Sequence, residues 1–185
     1  YDAEALEEDL AGMKKAGANT VRFWAWGDFS DGTGVVGPME SEGVLPAYRD
    51  NFIDFLRLCR KHRIYAIPIL DECPMNRKYE AVADEVKLNR PCPEVTGYNK
   101  QYLSAPFIAA KAALIRDFVG EVKRRDPELL PVVLAWSLSN ESFVKDSEGP
   151  FNLKEGLVQT ANGKTYDMGD KHQRQACFDE GMAHW

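Results

Sequence analysis

The chain has 185 residues, of which 44% are apolar and 28% are charged, and its formal net charge is −6 at pH 7. This length allows one domain of ordinary size with a sizeable core, and the composition is typical of a globular protein. The acidic balance argues against nucleic acid or an anionic membrane surface as a partner. No apolar run is long enough to span a bilayer. The chain begins with Tyr1 and shows no signal peptide, which is typical of a processed or trimmed chain and leaves its localisation open.

The four cysteines do not form a metal-binding pattern. No C-x-x-C pair occurs, so we expect no zinc ribbon, and we predict no metal and no cofactor. Cys59 and Cys177 occupy apolar positions of helical patterns and are predicted to lie in the core. Cys73 and Cys92 flank one loop, and they are either free thiols or, in a secreted protein, a disulfide pair.

The first part of the chain alternates between helix and strand patterns. Asp2 is a suitable N-cap for a first helix, and Gly17 is suited to end it. The next predicted elements are a strand at 20–26, a loop at 27–46, a helix from about 48 to 62 that buries Phe52, Phe55, Leu56 and Cys59, and a strand at 64–70. Pro68 weakens the last prediction, because proline gives up one ladder hydrogen bond.

The second part of the chain contains longer loops. The predicted elements are a loop at 71–103 with a short helix near 78–88, a long helix that Ser104 caps and that ends near Asp126, a strand at 132–138, a loop at 142–169, and a final helix that starts near Asp170. Asn162-Gly163 lies between two alternating segments, which predicts a β-hairpin within the last loop.

The order of these elements predicts a parallel sheet. Strands that are joined through helices run parallel and are covered by helices. A doubly wound sheet and a (β/α) barrel both fit this order. The long loops follow the strands, whereas the connections from helix to strand are short, so we expect a functional site at the carboxyl ends of the strands.

The stretch AWSLSNES, residues 135–142, places an amide and a carboxylate at such a strand end. Trp136 and Leu138 alternate with serines, so the predicted strand is still in register when Asn140 and Glu141 arrive. In a half-buried position desolvation raises the pKa of a glutamate, which makes it a usable proton donor near neutral pH. The alternative is a solvated loop glutamate that follows a turn-forming asparagine.

Three segments resemble one family of enzymes. VVLAWSLSNES resembles the fourth-strand motif of the clan A glycoside hydrolases, whose strand ends in Asn-Glu. NTVRFWAW resembles the second strand of the same clan, above all of glycoside hydrolase family 5, the cellulase and mannanase family. FLRLCRKHRIYAIPIL is similar to the second helix and third strand of that family. The resemblance covers most of the chain except the loops at 71–103 and 142–169.

This resemblance implies a (β/α)8 TIM barrel, of which residues 1–185 cover about half, from helix 1 to helix 4 with strands 2–4. We therefore expect one partial catalytic domain with a hairpin-containing insertion at about 142–169 that shapes substrate choice. The family keeps its nucleophile on the seventh strand, so we expect the nucleophile to lie outside this chain. The resemblance also favours a secreted or extracytoplasmic protein, and it does not decide the oligomeric state.

The resemblance further implies roles for individual residues. Glu141 would be the general acid/base, Asn140 would hold the sugar 2-hydroxyl, and Arg22 would orient the nucleophilic carboxylate. The alternative for Arg22 is a structural ion pair, and the alternative for the aromatic residues is core packing. The residues implied to bind the sugar are Trp24, Trp26, Phe29 and Asp71.

Three functions remain open at this point. The first is a retaining glycosidase that acts on a β-linked polysaccharide or oligosaccharide, so that the expected partner is a carbohydrate substrate. The second is a carbohydrate-binding barrel without turnover. The third is a metal-dependent lyase or aldolase barrel with Asp71, Glu72 and Glu141 as ligands, which the three histidines do not support because they lie on separate helix patterns. The predicted strand at 64–70, which is similar to the third strand of family 5, ends in Asp71-Glu72-Cys73 without the histidine often seen there in that family, which leaves the exact family open.

Overall fold

The computed structural model describes residues 1–25, 42–70, 76–89 and 95–185. This part of the chain is a mixed α/β structure with two small sheets, one a parallel pair and one an antiparallel pair. The helices are α1 (Ala3–Lys15), α2 (Pro46–His62), α3 (Arg77–Asn89), α4 (Lys100–Leu103), α5 (Ala105–Arg125) and α6 (Lys171–His184). The strands are β1 (Thr20–Trp24), β2 (Tyr65–Ile69), β3 (Leu157–Gln159) and β4 (Thr165–Asp167). None of the helices in these ranges is long and apolar enough to cross a membrane.

The predicted helix ends match the structure closely. Asp2 caps α1 and accepts a hydrogen bond from the backbone N–H of Ala5, at 3.1 Å. Asp170 caps α6 and accepts from the backbone N–H groups of His172 and Gln173. These local carboxylate caps satisfy N–H groups that have no partner inside the helix, so short sequence signals suffice to predict them.

The chain divides into two compact units, of which the first comprises Tyr1–Arg77 and Leu114–Asn140. Its sheet pairs β1 with β2 in parallel, in a register that places Arg22 opposite Ile67 and Trp24 opposite Ile69. The connection between the two strands runs through α2, as parallel strands require. The predicted strands at 20–26 and 64–70 are therefore confirmed within the described ranges.

The predicted strand at 132–138 is not a continuous strand. A 3-10 helix, Pro127–Val132, extends to the first residue of the predicted strand, and the chain then runs beside β2 with two isolated parallel bridges, Ala66 to Val133 and Ile69 to Ser137. The two bridges are three residues apart in β2 and four residues apart in the partner segment. One extra residue is therefore inserted between Val133 and Ser137, as in a β-bulge.

Pro68 explains where the extra residue lies. The N–H of Leu134 donates to the carbonyl of Ala66 at 2.9 Å, and in a regular parallel ladder residue 68 would then donate back to Leu134. Proline has no N–H, so this bond cannot form. The ladder resumes when the N–H of Ser137 donates to the Pro68 carbonyl at 2.9 Å, one residue later than in a regular ladder. Bulges are among the few places that accept proline in a sheet.

The bulge decides which side chains face the helices. Without it, Trp136 would lie opposite Ile69, on the sheet face of Arg22. With it, Ser137 takes that position, and Trp136 packs on the other face, with its ring centroid 6.2 Å from those of Phe52 and Phe118. A one-residue shift thus exchanges the two faces of the segment.

An aromatic cluster forms the core of the first unit. The ring of Phe52 on α2 lies 6.0 Å from Phe23 on β1 and 4.5 Å from Phe118 on α5, between ring centroids. Phe55 adds an edge-to-face contact with Phe23 at 4.7 Å. The predicted buried side of α2 is confirmed, since Phe52, Phe55, Leu56 and Cys59 are all buried. No barrel is found in the part of the chain that the structure describes.

The second unit comprises Lys78–Ala113 and Glu141–Trp185 and has its own core. The predicted hairpin is present: β3 and β4 pair antiparallel, and Gly163 between them has a φ of 81°, which suits glycine. The buried residues of this core are Val95, Tyr102, Leu103, Val158, Tyr166, Met168 and Cys177. The insertion predicted at about 142–169 therefore contributes to a packed core.

The buried side chain of Asn99 holds the loop at 145–149. Its Nδ2 donates to the carbonyls of Lys145, Glu148 and Gly149 at 2.8, 3.3 and 3.1 Å. Its Oδ1 accepts from the backbone N–H of Lys145 at 2.8 Å. One side chain thus gives the Lys145 N–H its acceptor and adds a second donor to three carbonyls that also accept from backbone N–H groups.

We expect Asn99→Ala to lower the free energy of unfolding by about 1–3 kcal/mol, because it leaves the Lys145 N–H without its acceptor and removes one of the donors to each of three carbonyls. Urea unfolding followed by far-UV circular dichroism measures this loss. Asn152→Ala is the matched control, since Asn152 is exposed and donates one hydrogen bond, to the Ser147 carbonyl at 3.2 Å. Its expected effect is within about 0.5 kcal/mol. Equal losses in the two variants would contradict this role of Asn99.

Candidate active site

Arg22 and Asn140 meet in the structure. Arg22 is the middle residue of β1, and its Nη2 donates a hydrogen bond to Oδ1 of Asn140 at 2.8 Å. The two residues are 118 positions apart in the sequence. Since Phe23 points toward α2, the alternation of the strand places Arg22 and Trp24 on the opposite face of the sheet.

The segment before Asn140 is held at both ends. The N–H of Leu70 donates to the Ser137 carbonyl at 2.7 Å, which fixes the segment beside β2. The Ser137 hydroxyl donates to the Ser139 carbonyl at 2.9 Å, which turns the chain just before Asn140. Asn140 is half-buried. The backbone that carries the Asn140 amide is therefore held in place, and the amide contacts Arg22 on β1 across the width of the small sheet.

The environment of the Glu141 side chain differs from the one predicted from the sequence. We expected a half-buried side chain, and the structure places it exposed to solvent. The reason is local: the bulge and the turn at Ser139 end the parallel segment before Glu141 is reached, so that no strand carries it into the sheet.

The backbone of Glu141 is unusual. Its φ is 52°, in the left-handed region that residues other than glycine rarely adopt. Such a conformation costs about 1 kcal/mol or more and tends to occur at functional sites, where the surrounding structure enforces it. Of the residues in the described ranges, only Arg63 at the end of α2 is a second non-glycine residue with positive φ. A left-handed helix end explains Arg63, whereas Glu141 ends no helix.

The aromatic residues predicted to bind sugar are only partly described. Trp24 is 45% exposed at the end of β1, on the same sheet face as Arg22. This exposure argues against the alternative that Trp24 is an ordinary core residue. Trp26, Phe29 and Asp71 lie outside the described residues, as do Cys73 and Cys92.

Sequence reasoning missed one exposed aromatic residue close to Glu141 in the chain. Phe143 is 48% exposed, and its ring stacks on that of Tyr98 with 4.5 Å between the centroids. The ammonium group of Lys145 lies 5.0 Å from the Tyr98 ring and 5.9 Å from the Phe143 ring. The available signal was a lone aromatic residue within the polar stretch that follows Asn-Glu.

Several later carboxylates already have structural partners. Glu148 accepts from the backbone N–H of Tyr98 and pairs with Lys145, and these contacts hold its pKa below the usual range. Lys164 and the Tyr166 hydroxyl likewise lower the pKa of Glu180. In Asp170, the N–H groups at the start of α6 lower the pKa of the carboxyl. Each of these groups is stabilised as an anion that serves the fold.

Metal and thiol chemistry find little support in the described ranges. No group of three or more histidine, cysteine or acidic residues there could hold a metal ion. Cys59 and Cys177 are free thiols, and both are buried, as predicted. Burial raises the pKa of the Cys59 thiol to about 12 and that of Cys177 to about 11, so both stay protonated near neutral pH.

Within the first unit, Arg22 offers a cationic guanidinium, Asn140 a neutral amide bound to it, and Trp24 an exposed indole. An amide can bind a hydroxyl group, and a carboxylate such as that of Glu141 can exchange a proton with a leaving oxygen. No protein-family model, no curated protein and no solved structure matches the chain.

Proposed function

We propose that the protein is part of a retaining glycoside hydrolase of the (β/α)8 class that acts on a β-linked polysaccharide or oligosaccharide. Glu141 is the general acid/base, Asn140 binds the 2-hydroxyl of the sugar at the reacting position, and Arg22 orients the nucleophilic carboxylate. Trp24, together with Trp26, Phe29 and Asp71, contacts the substrate. The nucleophile lies on a strand outside these 185 residues.

The observation that carries this proposal is the hydrogen bond between Arg22 and Asn140. The sequence motifs place both residues at the reacting sugar, although they are far apart in the chain. A contact of 2.8 Å between their side chains is what a shared site requires. The left-handed backbone of Glu141, the next residue, adds a second and independent feature that is common at functional positions.

The exposed face of the parallel sheet supports a barrel. Trp24 and Tyr65 are both exposed on the face opposite α2, the face that also carries Arg22. Parallel sheets are normally covered on both faces. In a closed barrel this face becomes the packed interior, which would bury Tyr65 at the amino ends of the strands and leave Trp24 at the carboxyl ends, where barrel enzymes bind substrate.

A second function, carbohydrate binding without turnover, is favoured by the solvent exposure of Glu141. A carboxylate open to solvent can still bind sugar hydroxyl groups as an acceptor. In the complete barrel, further loops at the same end would cover this side chain. The two functions predict different results for the complete protein. A glycosidase loses turnover when Glu141 is replaced, whereas a binding protein binds sugar and has no turnover to lose.

We expect Glu141→Ala to lower kcat of the complete enzyme by about 10²–10⁴-fold on a natural β-linked substrate, because the leaving oxygen loses its proton donor. The loss should be much smaller on aryl glycosides with activated leaving groups, which need little protonation. Steady-state kinetics on both substrate types measure the difference. Glu155→Ala is the control, since Glu155 is an exposed loop residue of the same chain. Equal losses on both substrates would remove the acid assignment.

We expect substitutions of Arg22 and Asn140 to be non-additive. Because the two side chains share one hydrogen bond, Arg22→Lys and Asn140→Ala should show a coupling free energy of about 0.5–3 kcal/mol in kcat/KM of the complete enzyme. A double-mutant cycle measures this coupling. Arg124→Lys with Asn140→Ala is the matched control pair, since Arg124 forms a surface ion pair with Glu121 and should not couple. Additive losses would separate Arg22 from the site.

We expect residues 1–185 alone to show no glycoside hydrolysis. Retention requires two carboxyl groups about 5–5.5 Å apart, one on each side of the scissile bond. Of the described carboxylates after Glu141, Glu148, Asp170 and Glu180 already serve structural contacts. Turnover by the purified chain that is lost on Glu72→Gln or Asp71→Asn would overturn this prediction and would place the nucleophile in the loop after β2.

A further inference from the structure

The second unit contains an open pocket that the proposed catalytic residues do not line. Its volume is about 380 Å³, and its walls come from the loop after Phe143 and from α6. The residues that matter for its chemistry are Asp146, Phe151, Lys171, Arg174, Gln175 and Phe178. Aromatic walls beside a few convergent polar groups are features that small-molecule sites share.

Two phenylalanines form the apolar wall of the pocket. The rings of Phe151 and Phe178 meet edge to face, with 6.1 Å between their centroids. Phe178 is nevertheless 40% exposed, so part of its surface stays available to a ligand. The contact with Phe151 fixes the orientation of the exposed ring, which lowers the entropy lost when a ligand stacks on it.

The charges of the pocket are unbalanced. Lys171 is exposed and forms no ion pair with any residue in the described ranges. Arg174 donates to the backbone carbonyls of Met168, Phe151 and Leu153, so its geometry is fixed, and no carboxylate of the described residues neutralises its charge. Asp146 is the one acid of the lining. The pocket therefore carries two cations and one anion, which favours a ligand with one negative charge.

We propose that this pocket binds a uronic acid residue of an oligosaccharide or polysaccharide. The sugar carboxylate pairs with Lys171, the ring lies against Phe178, and the hydroxyl groups bond to Asp146 and Gln175. The choice of a sugar rests on the proposed function of the chain, whereas the negative charge follows from the pocket itself. The site would hold an acidic branch or neighbouring unit of the polymer without taking part in bond cleavage.

The polar groups select a sugar acid over an aromatic acid of similar size. A benzoate-like ligand would satisfy Lys171 and stack on Phe178, but it offers no hydroxyl donor to Asp146. The carboxylate of Asp146 would then approach the ligand without a hydrogen bond, which is unfavourable. A uronic acid supplies several hydroxyl groups and so satisfies the cation and the acceptor together.

Titration of the isotopically labelled 185-residue chain, observed by NMR, tests the proposal. The probes are methyl β-glucuronide, methyl β-glucoside as the neutral match, and benzoate as the aromatic acid. We expect the glucuronide to bind about two- to fivefold more tightly than the glucoside, which is the usual contribution of one exposed ion pair. Its affinity should fall as salt is added. Benzoate should bind more weakly than the glucuronide.

Variants locate the effect in the pocket. Lys171→Gln should abolish the preference for the glucuronide and leave glucoside binding unchanged. Phe178→Ala should weaken binding of both sugars by about two- to tenfold through loss of ring contact. Lys154→Gln and Leu157→Ala are the matched controls, since both residues are exposed in the same unit and neither lines the pocket.

Equal affinity for the two sugars, tighter binding of benzoate, or binding that survives Phe178→Ala unchanged would each overturn the proposal. Hydrolysis by the complete enzyme is measured separately. If the complete enzyme hydrolyses glycosides but the chain does not bind the glucuronide, only the pocket proposal is refuted. If the chain binds the glucuronide but the complete protein shows no turnover, the catalytic proposal is refuted and the pocket proposal stands.

Discussion

The ring of Phe52 is the contact on which the first unit depends. It touches aromatic side chains from β1, from α5 and from the segment beside β2, namely Phe23, Phe118 and Trp136. One helix residue therefore joins the parallel strands to both neighbouring parts of the chain. The position of Arg22 follows from this packing, because Phe23 must turn inward for the cluster to form, and strand alternation then turns Arg22 outward. The site face is thus a consequence of the core.

Local signals in the sequence predicted most of the elements correctly. The carboxylate caps Asp2 and Asp170, the apolar side of α2 and the Asn162-Gly163 turn each act within a few residues, so that short patterns carry the information. The parallel pairing of β1 and β2 also followed from their order with α2. For the candidate site, the motif residues Arg22 and Asn140 were chosen from sequence, and the structure brings them into contact.

The failures have a physical cause in contacts between distant residues. The stretch at 132–138 reads as a strand, yet a 3-10 helix that contains Pro127 and Pro131 extends to its first residue, and Pro68 on the neighbouring strand interrupts the ladder. No local pattern near Glu141 records a proline more than seventy positions away. The left-handed backbone and the solvent exposure of Glu141 depend on where that interrupted segment ends. The stacking of Phe143 on Tyr98 is likewise a contact between segments that the sequence does not pair.

The inserted residue between Val133 and Ser137 has a consequence for the evolution of this segment. Deletion of one residue there would leave chain length, composition and hydrophobicity almost unchanged, yet it would turn the indole of Trp136 out of the core and a serine into it. Deletion of Leu134 or Ala135 should therefore be tolerated only together with replacement of Pro68, which would restore the missing donor. In relatives that carry another residue at position 68, the segment from Val133 to the asparagine at 140 should be one residue shorter. The length of this segment and the proline should therefore change together.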